Sequence, residues 1–274
     1  MVNMKNHLLV AILIVLTSCI DFRISEKEAL AELKDQVVIP VFSAIQVGDR
    51  RISYVTTHQK KDTLLAFVHG SPGSWNAFID FFKNDSLLRV ADIISIDRPG
   101  FGDSGRGVPE SSLEKQAFQM HAVLEQFNHS TKILIGHSLG GPVIARMGME
   151  YPKAYDRLVM VAPSVDPELE EYEWYMGVER NVLGKKLTPT DMWVSNEEIF
   201  SLKGELTLML HLWKNIEAKV IVIQGTADSL VPKENADFLQ KMMVDSLLDI
   251  RRLEGVDHFI PWTHPHEIVK GILE

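Results

Sequence analysis

Short apolar runs alternate along the chain with longer segments in which apolar residues recur every three or four positions. The short runs are rich in Val and Ile, as in buried parallel strands, and the longer segments have the period of helices that pack on a sheet. The predicted strands are 37–47, 51–57, 63–69, 92–97, 132–136, 157–162, 219–224 and 248–253, and the predicted helices are 77–83, 113–127, 139–150, 233–243 and 265–273. This alternation predicts an α/β fold built on a doubly wound, mostly parallel sheet.

The alternation stops after Pro163 and resumes only near residue 215. The intervening segment contains acidic residues, several Met and the aromatic residues Trp174, Trp193 and Trp213, but no convincing strand. We therefore predict one core domain formed by residues 37–163 and 215–274, with residues 164–214 inserted as a small helical lid.

The N-terminal residues have the pattern of an export signal. A weakly basic start precedes an apolar run at residues 8–16, which is too short to cross a bilayer because a spanning helix takes about 20 apolar residues. Thr17, Ser18 and Cys19 follow this run, and Leu16-Thr17-Ser18-Cys19 resembles the bacterial lipobox. Cys19 is the only cysteine of the chain. The resemblance implies a signal peptide at 1–18, a lipid on Cys19, a polar tether at 19–36 and an exported, membrane-anchored lipoprotein. A simple signal peptide or an uncleaved anchor is the alternative.

The charge of the chain argues against nucleic acid as a partner. The formal net charge is −9, whereas binding to a phosphate backbone requires clustered Lys and Arg. No cofactor is expected, and the expected partners are a small-molecule acyl substrate and, through Cys19, a membrane.

A Gly-x-Ser-x-Gly motif, Gly136-His137-Ser138-Leu139-Gly140, lies between the predicted strand 132–136 and the helix that follows it. In that position the motif forms a sharp turn that lifts the serine hydroxyl clear of the sheet, at the N-terminus of a helix. Ser138 is therefore the candidate nucleophile, and an ordinary glycine-rich turn is the alternative.

A serine nucleophile needs a base within hydrogen-bonding distance, and an acid that orients the base. Around this motif the acid follows a late strand and the histidine comes after it. Asp228 follows the predicted strand 219–224 and is the candidate acid, with Asp166 as its rival.

His258 follows the last predicted strand and is the candidate base, although His264 and His266 lie close behind it. These three histidines and Asp257 are also potential metal ligands. Their spacing matches no familiar metal site and would leave Ser138 without a role, so we assign no metal.

The developing oxyanion of such a reaction needs two backbone N–H donors. The residue after the nucleophile, Leu139, supplies one of them. The loop after strand 63–69 supplies the other, and we assign it to Ser71, because Pro72 has no N–H and the glycines on either side allow close approach of the backbone.

Several segments follow the order of the landmarks of the α/β-hydrolase superfamily. They are His69-Gly70-Ser71-Pro72-Gly73, Asp97-Arg98-Pro99-Gly100-Phe101-Gly102-Asp103-Ser104, Gly136-His137-Ser138-Leu139-Gly140, Gly225-Thr226-Ala227-Asp228 and Gly255-Val256-Asp257-His258. The resemblance covers residues 38–274 and implies that fold with a Ser-Asp-His triad; in it, the segment from Asp97 is expected to be structural. Ser138 differs from the Asp nucleophile of relatives that hydrolyse epoxides or remove halides, and Ser71 replaces the second Gly of proline iminopeptidases.

These residues predict a serine hydrolase that cleaves an ester or related acyl bond of a small, partly apolar substrate through an acyl-enzyme. Three alternatives remain open. They are a carbon–carbon bond hydrolase with the same triad, an amidase or peptidase, and a non-catalytic binding lipoprotein on the same fold.

Overall fold

The computed structural model describes residues 22–170 and 187–274, and one sheet forms its centre. The strands are β1 (Val41–Val47), β2 (Arg50–Thr56), β3 (Thr63–Val68), β4 (Ala91–Ile96), β5 (Thr131–His137), β6 (Arg157–Val161), β7 (Lys219–Gly225) and β8 (Leu248–Leu253). Their order in the sheet is β1-β2-β4-β3-β5-β6-β7-β8. β1 and β2 are antiparallel to each other, β2 is antiparallel to β4, and the other neighbours are parallel. The predicted mostly parallel sheet is confirmed.

The helices cover both faces of this sheet. They are α1 (Glu26–Glu32), α2 (Asp85–Val90), α3 (Leu113–Leu124), α4 (Gly140–Glu150), α5 (Thr190–Met209), α6 (Asn235–Met242), α7 (Ile260–Thr263) and α8 (Pro265–Leu273). Along β3, Leu64, Ala66 and Val68 belong to the apolar cluster on one face, whereas Leu65 and Phe67 belong to the cluster on the other. From Leu64 to Val68, β3 is apolar at every position and buried on both sides, as doubly wound sheets require.

The parallel strands bring the candidate residues to one edge of the sheet. Val68 at the end of β3 is in register with Gly136 of β5, and Gly225 at the end of β7 is in register with Leu253 at the end of β8. Because neighbouring strands end together, the loops that follow them leave the sheet side by side. Ligands of open α/β sheets bind at this carboxyl edge.

The predicted helix 77–83 is instead a 3₁₀ segment, Trp75–Lys83, in which Phe78 has a non-helical φ of −114°. Four of its aromatic side chains are buried: Trp75, Phe78, Phe81 and Phe82. The N–H of Trp75 also donates to the Asp97 carboxylate at 2.8 Å. Tertiary anchoring of these large rings, rather than a regular helical period, sets the local conformation.

Part of the predicted lid is described. It contains a 3₁₀ turn at Pro167–Leu169, the long helix α5 and a 3₁₀ segment at Leu210–Asn215. Residues 171–186 of the predicted lid, the predicted signal peptide and Cys19 lie outside the described residues. No helix within the described ranges combines the length and hydropathy needed to cross a membrane.

Candidate active site

Ser138 lies on the turn between β5 and α4, in the left-handed backbone region with φ +54°. Its N–H donates to the Val161 carbonyl at 2.9 Å, which ties the turn to the end of β6. A Cβ on Gly136 would meet the carbonyl oxygen of Gly140, and a Cβ on Gly140 would meet the backbone of β3. The two glycines therefore permit a turn that a side chain at either position would block, and the positive φ stores strain at the serine itself.

Asp228 and His258 form a hydrogen-bonded pair. The ring Nδ1 of His258 lies 2.8 Å from Oδ2 of Asp228, and both side chains are buried. The other carboxylate oxygen accepts from the N–H groups of Leu230 (2.9 Å) and Val231 (2.8 Å). Burial alone would raise the pKa of Asp228, but the hydrogen bond from His258 and these two N–H groups outweigh it and hold the pKa below its ordinary value. Asp228 is therefore an ionised acceptor that fixes the orientation of the imidazole.

The alternative acid and bases have other partners. Asp166 caps the 3₁₀ turn Pro167–Leu169, where its Oδ1 accepts from the Glu168 N–H at 2.9 Å. Nδ1 of His264 lies 3.0 Å from the hydroxyl oxygen of Thr263, and His266 is exposed. Of the candidates, the structure brings only Asp228 and His258 together.

The two predicted oxyanion donors, Ser71 and Leu139, line a cavity of about 700 Å³ together with Ser138 and His258. A Cβ on Gly70 would lie 3.0 Å from the Cβ of Ser138, so the loop after β3 presses directly against the nucleophile. Leu139 is the N-cap residue of α4. The positive end of that helix dipole therefore faces the position where negative charge would develop.

Sequence reasoning missed a buried polar network beneath Ser71. Nη1 of Arg98 and Oε1 of Glu198 are 2.6 Å apart, and their side chains are 0% and 2% exposed. Arg98 also donates to the carbonyl oxygens of His69 and Gly70, both at 2.9 Å. The hydroxyl of Ser71 donates to Oε2 of Glu198 at 2.6 Å. The loop after β4, which carries Arg98, and helix α5, which carries Glu198, therefore hold three consecutive residues of the loop after β3. This loop is called the oxyanion loop after its predicted donor, Ser71.

His137, inside the nucleophile motif, is a second residue whose role the sequence did not reveal. Its Nε2 donates to the backbone carbonyl of His258 at 3.1 Å, and the two rings are 4.7 Å apart. Burial, together with the smaller effect of neighbouring His258, lowers the pKa of His137 to about 3. His137 is therefore neutral and fixes the loop that carries the candidate base.

The segment from Asp97 to Ser104 holds the neighbouring loops. The two carboxylate oxygens of Asp97 accept from the N–H groups of Trp75 (2.8 Å) and Asp103 (2.9 Å). The hydroxyl of Ser104 accepts from the N–H of Ser53 at 2.8 Å. These contacts agree with a structural role for the segment, except that Arg98 within it reaches the oxyanion loop.

Two cavities meet at Ser71, Ser138, Leu230 and His258. The larger one is polar on one side, where its lining includes Ser164, Glu168, Glu170 and Ser229. The second, of about 500 Å³, has a mostly apolar lining that includes Pro72, Ala77, Met192, Phe259 and Trp262. A substrate with an apolar part and a polar part could thus extend in both directions from Ser138.

Within residues 22–170 and 187–274, no three His, Cys, Asp or Glu side chains are grouped so that they could hold a metal ion.

Residues 63–184 match the family model described as alpha/beta hydrolase fold. The chain is 27% identical over 128 residues to the dihydrolipoyllysine-residue acetyltransferase component of the acetoin cleaving system of Pseudomonas putida, a match that covers 47% of the chain and 34% of that protein. It is 32% identical over 113 residues to a (lyso)-N-acylphosphatidylethanolamine lipase of Mus musculus, covering 40% of the chain and 32% of the lipase. The chain therefore matches about a third of the length of each relative.

Among solved structures, a membrane phospholipase A described as a bacterial virulence factor superposes with a TM-score of 0.67 and 17% identity. The superposition covers 98% of this chain and 97% of the phospholipase. At that identity the likeness concerns the fold. Together with the sheet order and the family match, it shows that the chain has the α/β-hydrolase fold.

Proposed function

We propose that this protein is a serine hydrolase that cleaves an ester or related acyl bond through an acyl-enzyme. One observation carries the proposal: His258, whose Nδ1 lies 2.8 Å from the Asp228 carboxylate, lines the same cavity as Ser138 on its strained turn. The candidate nucleophile, acid and base thus follow the chain order and setting that this fold uses for covalent acyl transfer.

The reaction would begin with attack of Ser138 Oγ on the substrate carbonyl carbon, while His258 Nε2 accepts the hydroxyl proton. The N–H groups of Ser71 and Leu139 donate to the carbonyl oxygen as it becomes negative. When the bond to the leaving oxygen breaks, His258 gives its proton to that oxygen and an acyl-Ser138 ester remains. A water molecule then gives a proton to His258 and attacks the acyl carbon, and the proton returns to Ser138 as the acid leaves.

The electrostatics suit the intermediate in which His258 carries a proton. Asp228 has a lowered pKa and stays ionised at neutral pH. Its negative charge stabilises the imidazolium, and the two backbone N–H groups on its other oxygen keep it from turning away. Because Nδ1 of His258 is taken by Asp228, Nε2 is the ring nitrogen assigned to proton transfer with the serine.

The substrate we propose is an acyl ester with a substantial apolar part. The apolar cavity of about 500 Å³ supports this assignment, because it leads away from Ser138 and is large enough for an acyl chain of moderate length. The names of similar proteins, a lipase acting on acylated phosphatidylethanolamines and a phospholipase A, point in the same direction.

We further propose that the mature protein is an exported lipoprotein with an acylated Cys19, on the strength of the lipobox-like Leu16-Thr17-Ser18-Cys19. Metabolic incorporation of radioactive palmitate tests this, and the Cys19→Ser chain should incorporate none.

The test of the catalytic assignment is labelling by a fluorophosphonate probe, which reacts with an activated serine. The Ser138→Ala chain should not be labelled. Ser229→Ala is the matched control, because Ser229 lines the same cavity but does not lie on the strained turn, and this chain should label like the unmodified one. Labelling of Ser138→Ala at the unmodified rate would show that another residue is the nucleophile.

A further inference from the structure

Three large apolar side chains surround the opening of the apolar cavity. Leu230, Phe259 and Trp262 are 63%, 49% and 48% exposed, and all three line that cavity of about 500 Å³. They are called the mouth rim below. Phe259 and Trp262 have ring centroids 6.0 Å apart and so form one continuous surface.

The mouth rim differs from the other exposed apolar side chains. Single exposed apolar residues are ordinary on protein surfaces, whereas a contiguous patch marks an interaction site. Here Leu230, in the loop after β7, lines one cavity together with Phe259 and Trp262, which lie at the N-cap of α7 and within it. The Trp262 ring packs edge-on against His137 at 5.5 Å, so its exposed position is fixed by the active site itself.

The N-terminal segment reaches the same opening. Phe22 lines the apolar cavity, and its carbonyl accepts from the Ser74 hydroxyl at 3.0 Å. The segment after Phe22 is anchored to the core, because Ala29 of α1 and Leu33 just after α1 are fully buried. Phe22 is therefore a fixed point beside the mouth rim.

The distance from this fixed point to the proposed lipid is short. Only Ile20 and Asp21 separate Cys19 from Phe22. Three residues of fully extended chain span about 11 Å. A bilayer that holds acyl chains on Cys19 must therefore lie within about that distance of the cavity opening.

We propose that the mouth rim docks on the lipid bilayer that carries the Cys19 anchor, so that acyl substrates pass from the membrane into the cavity without crossing water. This inference rests on the proposed acylation and on the proposed hydrolase function. Tryptophan, phenylalanine and leucine suit the boundary between head groups and acyl chains. The bilayer we specify is zwitterionic, because the chain has a net charge of −9 and exposes Asp257 next to the rim.

The experiment uses the full acylated chain in phosphatidylcholine vesicles whose acyl chains carry bromine, which quenches tryptophan fluorescence on contact. The emission of Trp262 is obtained as the difference between the unmodified chain and Trp262→Phe, which keeps an aromatic ring at the rim. We expect brominated vesicles to reduce this emission by about twofold or more relative to unbrominated ones. Far-ultraviolet circular dichroism confirms that Trp262→Phe is folded.

The matched control places a tryptophan elsewhere on the surface. Phe118 on α3 is 55% exposed and does not line the apolar cavity. In a Trp262→Phe background, the added emission of Phe118→Trp should be unaffected by bromine. Equal quenching at both positions, or no quenching of Trp262, would overturn the docking proposal.

The outcomes of this experiment distinguish failure of the catalytic proposal from failure of the docking proposal. If Trp262 is quenched but the same vesicles show no fluorophosphonate labelling, the docking surface stands and the hydrolase assignment falls. If labelling is normal and Trp262 is unquenched, the hydrolase stands and the docking surface falls. An unmodified chain that does not float with the vesicles refutes the anchor and the docking surface together.

Discussion

The Ser71 hydroxyl offers a direct test of whether the buried network serves catalysis. Removing Glu198 would leave the Arg98 guanidinium buried without its partner, and breaking a buried ion pair costs about 3–5 kcal/mol. That is a large share of the about 5–15 kcal/mol by which a typical domain is stable. Ser71→Ala is milder, because it retains the ion pair and the Ser71 N–H and removes only the 2.6 Å hydrogen bond to Glu198.

The expected size of the effect follows from that bond. A hydrogen bond to a charged group contributes about 1.5–3 kcal/mol, and about 1.4 kcal/mol of transition-state stabilisation is tenfold in rate. Loss of a complete oxyanion donor lowers kcat by about 10²–10³, which sets the upper limit, since the N–H of residue 71 remains. We expect kcat to fall by about 10- to 100-fold and KM to stay within about twofold, because the amide is needed only as charge develops.

The assay is steady-state hydrolysis of a soluble short-chain p-nitrophenyl ester, with inhibition by a boronic acid as a mimic of the tetrahedral intermediate. The inhibition constant for the boronic acid should rise by the same factor as kcat falls. Ser111→Ala is the matched control, because the Ser111 hydroxyl also donates to α5, to the Glu197 carbonyl at 3.1 Å, but Ser111 lines neither of the two cavities at Ser138. Its kcat should change by less than about twofold.

A purely structural role for the network would give a different result. Ser71→Ala would then lower the midpoint of chemical unfolding while kcat and boronic acid inhibition stayed at the unmodified values. That combination would refute the inference that Glu198 positions the oxyanion donor.

Two further predictions concern the acid and the buried histidine. Asp228→Asn should lower kcat for the soluble ester by about 10³–10⁴, because an amide can neither fix the required tautomer of His258 nor stabilise its charge; a loss below about tenfold would reassign the acid. His137 has a pKa of about 3 in the folded chain, below its value of about 6.5 in the unfolded chain. As the pH falls, residue 137 therefore binds a proton in the unfolded chain before it does so in the folded chain. Its contribution to stability is complete above pH 6.5 and is lost as the pH falls toward 3, by up to about 1.4 kcal/mol per pH unit. His137→Gln, whose amide can still donate to the His258 carbonyl, should unfold with a correspondingly smaller pH dependence in that range, as measured by denaturant titration; an unchanged dependence would mean that His137 does not titrate as described.

Several parts of the fold followed from the sequence because each depends on a local pattern. The strands are Val- and Ile-rich runs, and the candidate residues Ser138, Asp228 and His258 come directly after three of them. Since parallel strands end at one edge, the order of these segments along the chain was enough to predict that the three would gather there. The Asp228–His258 contact agrees with that expectation.

The buried network could not be predicted in this way. Arg98 and Glu198 are a hundred positions apart, and Ser71 and Glu198 are still further apart. A glutamate on a helix is normally solvated, and no local pattern distinguishes a buried carboxylate from an exposed one. Of these residues, only Arg98 lies in a segment that the sequence marks as unusual, the glycine-rich segment from Asp97 to Ser104.

The same contacts show how helix α5 is held in place and what that implies for substrate entry. Its buried face includes Asp191 and Glu198, paired with Arg106 at 2.7 Å and Arg98 at 2.6 Å. Displacement of α5 from the core would separate these two ion pairs. That displacement is unfavourable, because it would leave a charge without its partner in a poorly solvated site. Helix α5 is thus better suited to be a fixed wall of the active site than a moving gate. An apolar substrate would then enter without movement of α5, through the apolar cavity that Leu230 and Trp262 line.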